Sequence, residues 1–432
     1  MLIVDTDILS TQMRGCQQNL INQPDVLPVL EFICSESNKL TNCGIYYARQ
    51  LYFKTQKFIS KFELNYEMKR SKNSHYQFMH SQAAQQALIS VAESFRSFVG
   101  LLKAFKKGKI DKPPQLPKYR PKGGLEVVSY PQQALKLTVQ GIRIPLGKKV
   151  KACFGVQYFY LQMLSNLEFK KIKELRILPR NGCFYAEFIY STEEMQADVD
   201  LNNCLGIDAG VDNWLTCVSN QGDSFIINGR TLKSQNRYYN KEVARLKTNQ
   251  PQGFWSKRLA AITEKRNRQM RDSRNKTARL LLNYCLEQRI GRVVWGHNQQ
   301  QKQECHLGKA NTQNFVQIPT TKLKERFKQL CEQYAIEFVE TEESYTSKAS
   351  FLDGDELPVF GAKPEGWTPS GRRVKRGLYK TASGWLINSD ANGAVNIMQK
   401  VATRLGIDLT RVSRAVLTQP RRIHLHGSTT SV

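Results

Sequence analysis

The stretch Leu205-Gly206-Ile207-Asp208-Ala209-Gly210-Val211-Asp212-Asn213 climbs through apolar residues into one carboxylate, Asp208, followed by small residues. A second alternating run, Trp214–Val218, leaves it, and Asn220–Asp223 turns the chain into Ser224–Ile227. That pattern reads as three short antiparallel strands. An ionised Asp inside a central strand costs several kcal/mol unless a cation or hydrogen bonds compensate it. A divalent metal compensates it well; an Asp closing a turn is the competing reading. A second acid, Asp390, stands where Trp385–Ser389 enters a helix packed through Val395, Met398, Val401 and Leu405.

The elements that must position these acids follow from periodicity. Apolar patches around Val26–Ile33 have no regular period, and helical spacing starts at Gly44. Tyr46, Tyr47, Arg49, Tyr52, Phe53, Lys54, Lys57 and Phe58 interleave rings and bases there, which suits base stacking or core packing equally. Ala84, Ala87, Leu88, Val91, Phe95, Phe98, Leu102 and Phe105 mark a long helix. The Pro-rich basic run Pro113–Lys122 is a boundary. Short strands follow at Leu135–Val139, Ile142–Leu146, Leu175–Leu178 and Phe184–Tyr190, the last two around the hairpin signal Arg180-Asn181-Gly182. A long helical region after Ile227 carries Lys257, Arg258, Lys265, Arg266, Arg268, Arg271 and Arg274, with so few acids between that it reads as a phosphate-tracking surface. Strand Arg292–Trp295, helix Thr321–Tyr334, strand Ala335–Val339 and a Gly/Pro-rich basic loop with Arg372, Arg373 and Arg376 lead to the Asp390 helix.

A chain of 432 residues with a net charge of +27 and 41% hydrophobic residues is large enough for several cored domains. Its charge points to a polyanion, nucleic acid being the usual one. No segment approaches a membrane span or a signal peptide, so no membrane partner and a cytoplasmic location are expected. Ten cysteines without a C-x-x-C pair indicate neither a zinc ribbon nor a disulfide framework.

Three antiparallel strands, then helices, strand, helix, strand, helix is the order of an RNase H-like fold. Such folds place one Asp on the first strand and another at the start of a late helix, and Asp208 and Asp390 occupy those places. Clustered carboxylates of this kind hold two Mg²⁺ ions for phosphodiester hydrolysis. Gly206–Asn213, Thr341–Ser350 and Ser389–Ile397 resemble the TnpB (OrfB) family, RNA-guided DNA nucleases of bacterial insertion sequences related to the type V CRISPR effectors. Gln303-Glu304, Gln313–Pro319 and Arg376–Lys380 support the resemblance.

The resemblance implies a multidomain α+β chain: an antiparallel β-barrel (wedge) with a helical recognition insert, then a RuvC-type, RNase H-like α/β nuclease domain. Residues 1–40 and 117–200 would form the wedge and 41–116 the insert. The nuclease domain would occupy 201–348 with a basic helical insertion at about 231–290. A basic loop, 349–384, stands in place of a zinc ribbon, 385–410 is the last nuclease segment, and 411–432 is expected to be a disordered tail. Implied partners are a guide RNA and target DNA, double- and single-stranded, met at the bacterial nucleoid. Arg49, Lys54 and Lys57 join the bases named above as nucleic-acid-binding candidates, and the oligomeric state is left open.

Two departures from the family pattern bear on chemistry. The middle catalytic Glu should end the strand Val293-Val294-Trp295, but Gly296 stands there. A branch of the family lacks that acid too, and its substitute lies in Glu342–Ser347, at the end of the neighbouring strand ~4.8 Å away. Glu343 is preferred, then Glu342, then Glu304. The second departure is Ala349–Ser389, which has no Cys, so zinc is not expected and packing must shape the loop. His297 and His306 read as ordinary loop histidines, and His424 and His426 have no partner cluster. The alternative function is a nuclease-inactive RNA-guided DNA-binding repressor, and a weaker one is a guide-independent resolvase or transposase.

Overall fold

The computed structural model describes residues 13–297 and 318–425. The chain divides into two compact units, Gln12–Thr192 and, for the most part, Glu193–Val432. Among the described residues no helix is long and apolar enough to cross a membrane.

The first unit begins with strand β1 (Met13–Leu20), followed by helices α1 (Leu27–Thr55), α2 (Lys61–Arg70), α3 (Ser74–Phe78) and α4 (Ser81–Lys106). Strands β2 (Val128–Pro131), β3 (Lys136–Thr138) and β4 (Gly141–Pro145), helix α5 (Lys148–Phe154), and strands β5 (Tyr158–Leu161), β6 (Ile172–Arg180) and β7 (Cys183–Thr192) complete it. They pair as two antiparallel sheets, β1-β7-β6-β2 and β3-β4-β5, which share one core with α1 and α4. The β6–β7 hairpin turns at Asn181 and Gly182, both left-handed, as the Asn-Gly signal requires.

The helix expected from Gly44 in fact starts at Leu27, with Pro28 in the first turn. The apolar stripe of α1 is broken by Glu36, Ser37, Asn38 and Thr41, all buried, which hid its period. Two of them find partners: Glu36 meets Lys39 Nζ of its own helix at 2.7 Å and the distant His75 Nδ1 at 2.8 Å, and Ser37 donates to the Val127 carbonyl at 2.8 Å.

The second unit opens with β8 (Asp200–Ala209), β9 (Asn213–Ser219) and β10 (Asp223–Asn228), then α6 (Arg230–Lys247), α7 (Lys257–Glu287) and β11 (Ile290–His297). Helix α8 (Thr320–Gln333) and strand β12 (Glu337–Glu342) follow, then β13 (Arg372–Lys375), β14 (Leu378–Lys380), β15 (Leu386–Asn388), α9 (Ser389–Leu405), α10 (Arg414–Thr418) and β16 (Arg421–Ile423). The central sheet runs β12-β11-β8-β9-β10-β16. Strands β8, β9 and β10 are antiparallel, while β11 lies parallel to β8 and β12 parallel to β11. This is the RNase H-like sheet expected from the element order.

Side chains alternate across that sheet and meet different helices. Leu205, Ile207, Val293 and Trp295 pack on α7 and α8, whereas Cys204, Val218 and Val294 pack on α9 through Ala394, Val395 and Met398. Gly206 permits the close approach of α9, since a Cβ there would lie 2.6 Å from the Ala394 carbonyl oxygen.

The tail expected to be disordered from residue 411 instead carries α10 and β16. Val412 and Leu417 are buried, Ser224 Oγ donates to the Val416 carbonyl at 2.5 Å, and β16 adds parallel to the free edge of β10. Short apolar runs broken by arginines and by Pro420 gave too weak a periodic signal to reveal it.

The cysteine-free loop is held by polar staples as well as packing. Tyr379 and Ile387 are fully buried. Asp353 accepts from Ser350 Oγ at 2.5 Å and Ala382 N at 2.7 Å, and Asp355 accepts from Ser350 N at 2.7 Å and Ser370 N at 3.0 Å. Asp353→Ala strands these donors at a cost on the order of 2 kcal/mol. The thermal midpoint of this unit should fall by roughly 4–8 °C; an unchanged melt would show that packing alone holds the loop.

Candidate active site

Asp208 is on β8, on the sheet face covered by α9, and pairs in register with Thr216 of β9. Helix α9 starts beside it: a Cβ on Gly393 would lie 2.9 Å from Asp208 Oδ2. Asp390 occupies the first turn of α9, where the helix dipole favours an anion. Asn388 caps that turn by accepting from the Asp390 and Ala391 amides at 3.0 and 3.1 Å. Asn213 Nδ2 donates to Asp390 Oδ2 at 2.7 Å, and Arg373 Nη2 approaches Asp390 Oδ1 at 3.2 Å.

Glu343 follows β12, on the same side of the sheet. Strand β11 carries Gly296 opposite Thr341 of β12, two residues before Glu343 and one past the Trp295–Ile207 pair with β8. A Cβ on Gly296 would stand 3.1 Å from Glu343 Oε2 and 2.5 Å from Ile397 Cδ1. The space a side chain at 296 would enter is thus filled by Ile397 and by the Glu343 carboxylate. Glu342 is engaged elsewhere: it pairs with Lys400 and accepts from the Ser344 amide at 2.8 Å. Burial raises its carboxyl, but Lys400 and Ser344 outweigh burial and hold it below the usual range. Glu304 and His306 lie outside the described residues, as does His426.

The electrostatics bind the three acids together. Burial first, then the charges of Glu343 and Asp390, push the Asp208 carboxyl up to about 8, against the pull of Arg373 and the Ala209 amide. An unfolded Asp titrates near ~3.9, so the metal-free folded chain holds a proton that the unfolded chain releases. That contribution to stability is complete below about 3.9 and lost as pH rises through the folded value. In EDTA, Asp208→Asn should gain stability over the parent chain from pH 5 to pH 8. Urea midpoints that move in parallel would count against the shift.

The acids face an open cleft of about 310 Å³ lined by Asp208, Asp212, Asp390, Arg230, Arg373, Arg376 and Arg422, among others. Glu343 is not in that lining; it adjoins Asp208 from the β11–β12 side. Asp212 is committed to Lys233 and Arg376, at 2.9 and 2.5 Å. Among the described residues no three His, Cys, Asp or Glu side chains close on one point as a ready metal cage. The donor set itself is carboxylate oxygen, which suits Mg²⁺, and a buried Asp raised by two neighbouring acids is a place where a cation relieves repulsion.

Two buried amides brace the site. Asn392 Nδ2 donates to the Ala349 carbonyl at 2.7 Å, and Asn396 Nδ2 donates to the Thr346 carbonyl at 2.8 Å. They pin the segment after Glu343 onto α9, one turn apart on a single helix face. Their spacing was visible in the sequence, but their role was not read there; neither was that of Asn213, Arg230 or Arg422.

The basic candidates divide by environment. Lys257, Arg258, Lys265 and Arg268 are exposed along α7, Arg274 is half-buried, and Lys54 and Lys57 are exposed. Arg266 instead donates to Asn236 Oδ1 at 2.8 Å, and Arg271 meets buried Glu264 at 3.4 Å, so both also serve packing. Arg372, Arg373 and Arg376 are exposed on and beside β13. On α1, Tyr46 and Phe53 are more than half exposed, and Arg49 lies over the rings of Phe53 and Tyr119 at 5.9 and 5.1 Å. Tyr47 and Tyr52 are partly buried, so that helix serves packing and open surface at once. His297 pairs in register with Glu342, and exposed His424 meets Asn228 at 3.3 Å.

Residues 187–302 match the OrfB_IS605 family model, described as a probable transposase. That stretch is similar to the OrfB family. The match contains Asp208 and Gly296 but ends before Glu343 and Asp390. Its fold is similar to that of a Cas12f1 chain solved with sgRNA and target DNA, with a TM-score of 0.50, 14% identity, and coverage of 87% of this chain and 83% of that one. The mini-RNA-guided endonuclease CRISPR-Cas_phi3 aligns over 93% of each chain at 9% identity with a TM-score of 0.39. No curated protein sequence matches this chain.

Proposed function

We propose that this chain is an RNA-guided, Mg²⁺-dependent DNA endonuclease that acts on target DNA beside a short flanking motif, in the bacterial cytoplasm at the nucleoid. What supports the reading most is that Asp208 and Asp390 line one cleft with Arg230, Arg373, Arg376 and Arg422, while the charges of Asp390 and Glu343 both act on Asp208. The guide RNA and DNA partners are suggested by the Cas12f1 complex that shares the fold and by the net charge of +27.

Asp208, Glu343 and Asp390 would hold the two Mg²⁺ ions, which supply water activation and neutralise charge on the scissile phosphate. The chain's own groups do the rest. Asn213 orients the Asp390 carboxylate through its amide. Arg373, now on Asp390, is placed to move to a phosphate oxygen when a cation takes its place. Arg230, Arg376 and Arg422 attract and align the backbone, a sequence-independent contribution that weakens with salt. Guide pairing would read the sequence.

The test is plasmid cleavage by protein purified with its co-expressed RNA. Mg²⁺ should linearise a matched target and EDTA should prevent it. Tight binding of RNA and matched target with no cutting would instead favour the nuclease-inactive guided repressor, a reading that Gly296 keeps open. Cutting without any RNA would point to a guide-independent resolvase or transposase.

A further inference from the structure

Away from the acidic cleft, the same unit carries a second open groove of about 390 Å³, lined by Trp385, Leu386, Arg414, Ala415, Thr418 and Gln419. Trp385 is 51% exposed and Leu386 48% exposed. Together they leave a small apolar face open beside the groove. The ring is not on a loose loop. The Trp385 amide donates to Thr381 Oγ1 at 3.1 Å, and its carbonyl accepts from the Thr381 amide at 2.9 Å. The opposite wall, α10, is fixed by buried Leu417 and by the bond from Ser224 to Val416.

The chemistry around the ring selects the partner. Arg414 lies over the indole at 3.9 Å, which brings a cation to a ring that is still half exposed. Register across β13, β14 and β15 sets Arg372, Lys380 and Leu386 abreast, hence on one sheet face. No acid lines the groove. An aromatic platform flanked by bases suits a flat, neutral ring carried on an anionic backbone. A second copy of a chain with a net charge of +27 is disfavoured by repulsion.

We propose that this groove binds one unpaired base of single-stranded nucleic acid, stacked on Trp385, with the adjoining phosphates on Arg372, Lys380 and Arg414. A base inside a duplex is already stacked on both faces, so the groove discriminates for unpaired strand. Trp385 precedes Asp390 by five residues, which limits their separation to about 17 Å along the chain. A strand held here is therefore near the acidic cleft. The inference rests on the proposed nuclease reading only for which strand is held.

The test needs no cleavage. The full chain, carrying its co-expressed RNA and kept in EDTA, is titrated with a fluorescent oligo-dT and with an abasic oligonucleotide of equal length. Stacking predicts that the parent chain prefers oligo-dT by roughly tenfold. Trp385→Ala should bind both at the abasic level, and Trp385→Phe should keep most of the preference. A 5-bromouracil oligonucleotide should photo-crosslink to the peptide containing Trp385. Equal affinity for both probes in the parent chain, or a preference that survives Trp385→Ala with no crosslink at Trp385, overturns the proposal. So does a self-associated species in sedimentation that Trp385→Ala dissolves. A chain that cuts nothing yet passes these measurements would lose the nuclease reading and keep the groove.

Discussion

Asp208→Ala and Asp390→Ala, each purified with guide RNA, should lose Mg²⁺-dependent cleavage of a matched plasmid by about a thousandfold or more. The magnitude follows from the several kcal/mol that metal-held charge stabilisation contributes to a hydrolytic transition state, at a factor of ten per 1.36 kcal/mol. RNA binding should be unchanged, because the bases proposed to track RNA on α7 are not contacts of either acid. The two substitutions differ in their side effects. Asp208→Ala removes a group whose charged form is disfavoured by burial and by its acidic neighbours, so the metal-free variant should be at least as stable as the parent. Asp390→Ala deprives Asn213 and Arg373 of an acceptor and should loosen the start of α9. Quenched-flow or gel-based single-turnover rates read the first effect and thermal melts the second. Residual cutting within tenfold of the parent by either variant would remove that acid from the chemistry.

How much of this was legible beforehand varied with the physics of each element. The β8–β9–β10 meander and the α9 entry were readable because alternation, a turn cluster and a helical stripe each carried a clean period. Asp208 stood out as a candidate because a carboxylate in such a run demands compensation. Helix α1 was misplaced at its start because four buried polar residues interrupt its stripe, and their partners, such as Val127 and His75, are distant in sequence. The ordered segment after residue 411 was missed for a related reason. Its order depends on an edge strand, β10, that only the folded sheet presents. Arg422 therefore came into the cleft unannounced. The brace by Asn392 and Asn396 was visible as residues and spacing, yet nothing local distinguishes a buried amide from an exposed one.

Glu343→Gln should reduce cleavage by about a hundredfold or more, whereas Glu342→Gln should leave the rate within a fewfold and lower stability instead. Adjacent in sequence, the two glutamates have different neighbours. Glu342 is occupied by Lys400, whose side chain is 6% exposed, and its loss leaves that ammonium buried without its carboxylate partner. Glu343 reaches the space beside Gly296 and raises Asp208. The relation between Glu343 and Gly296 gives a sharper form of the same expectation. Gly296→Glu alone should destabilise the chain, since its Cβ would stand 2.5 Å from Ile397 Cδ1, and overpacking of this kind costs about 1–3 kcal/mol. Combined with Ile397→Ala and Glu343→Gln, the same substitution has room and a vacated carboxylate position. Cleavage lost in Glu343→Gln should then partly return in the triple variant. Recovery would place the metal-binding requirement at one point in space that either strand can supply. Failure to recover, in a triple variant that melts normally and binds RNA, would show that Glu343 acts from its own backbone position and that β11 no longer offers an alternative.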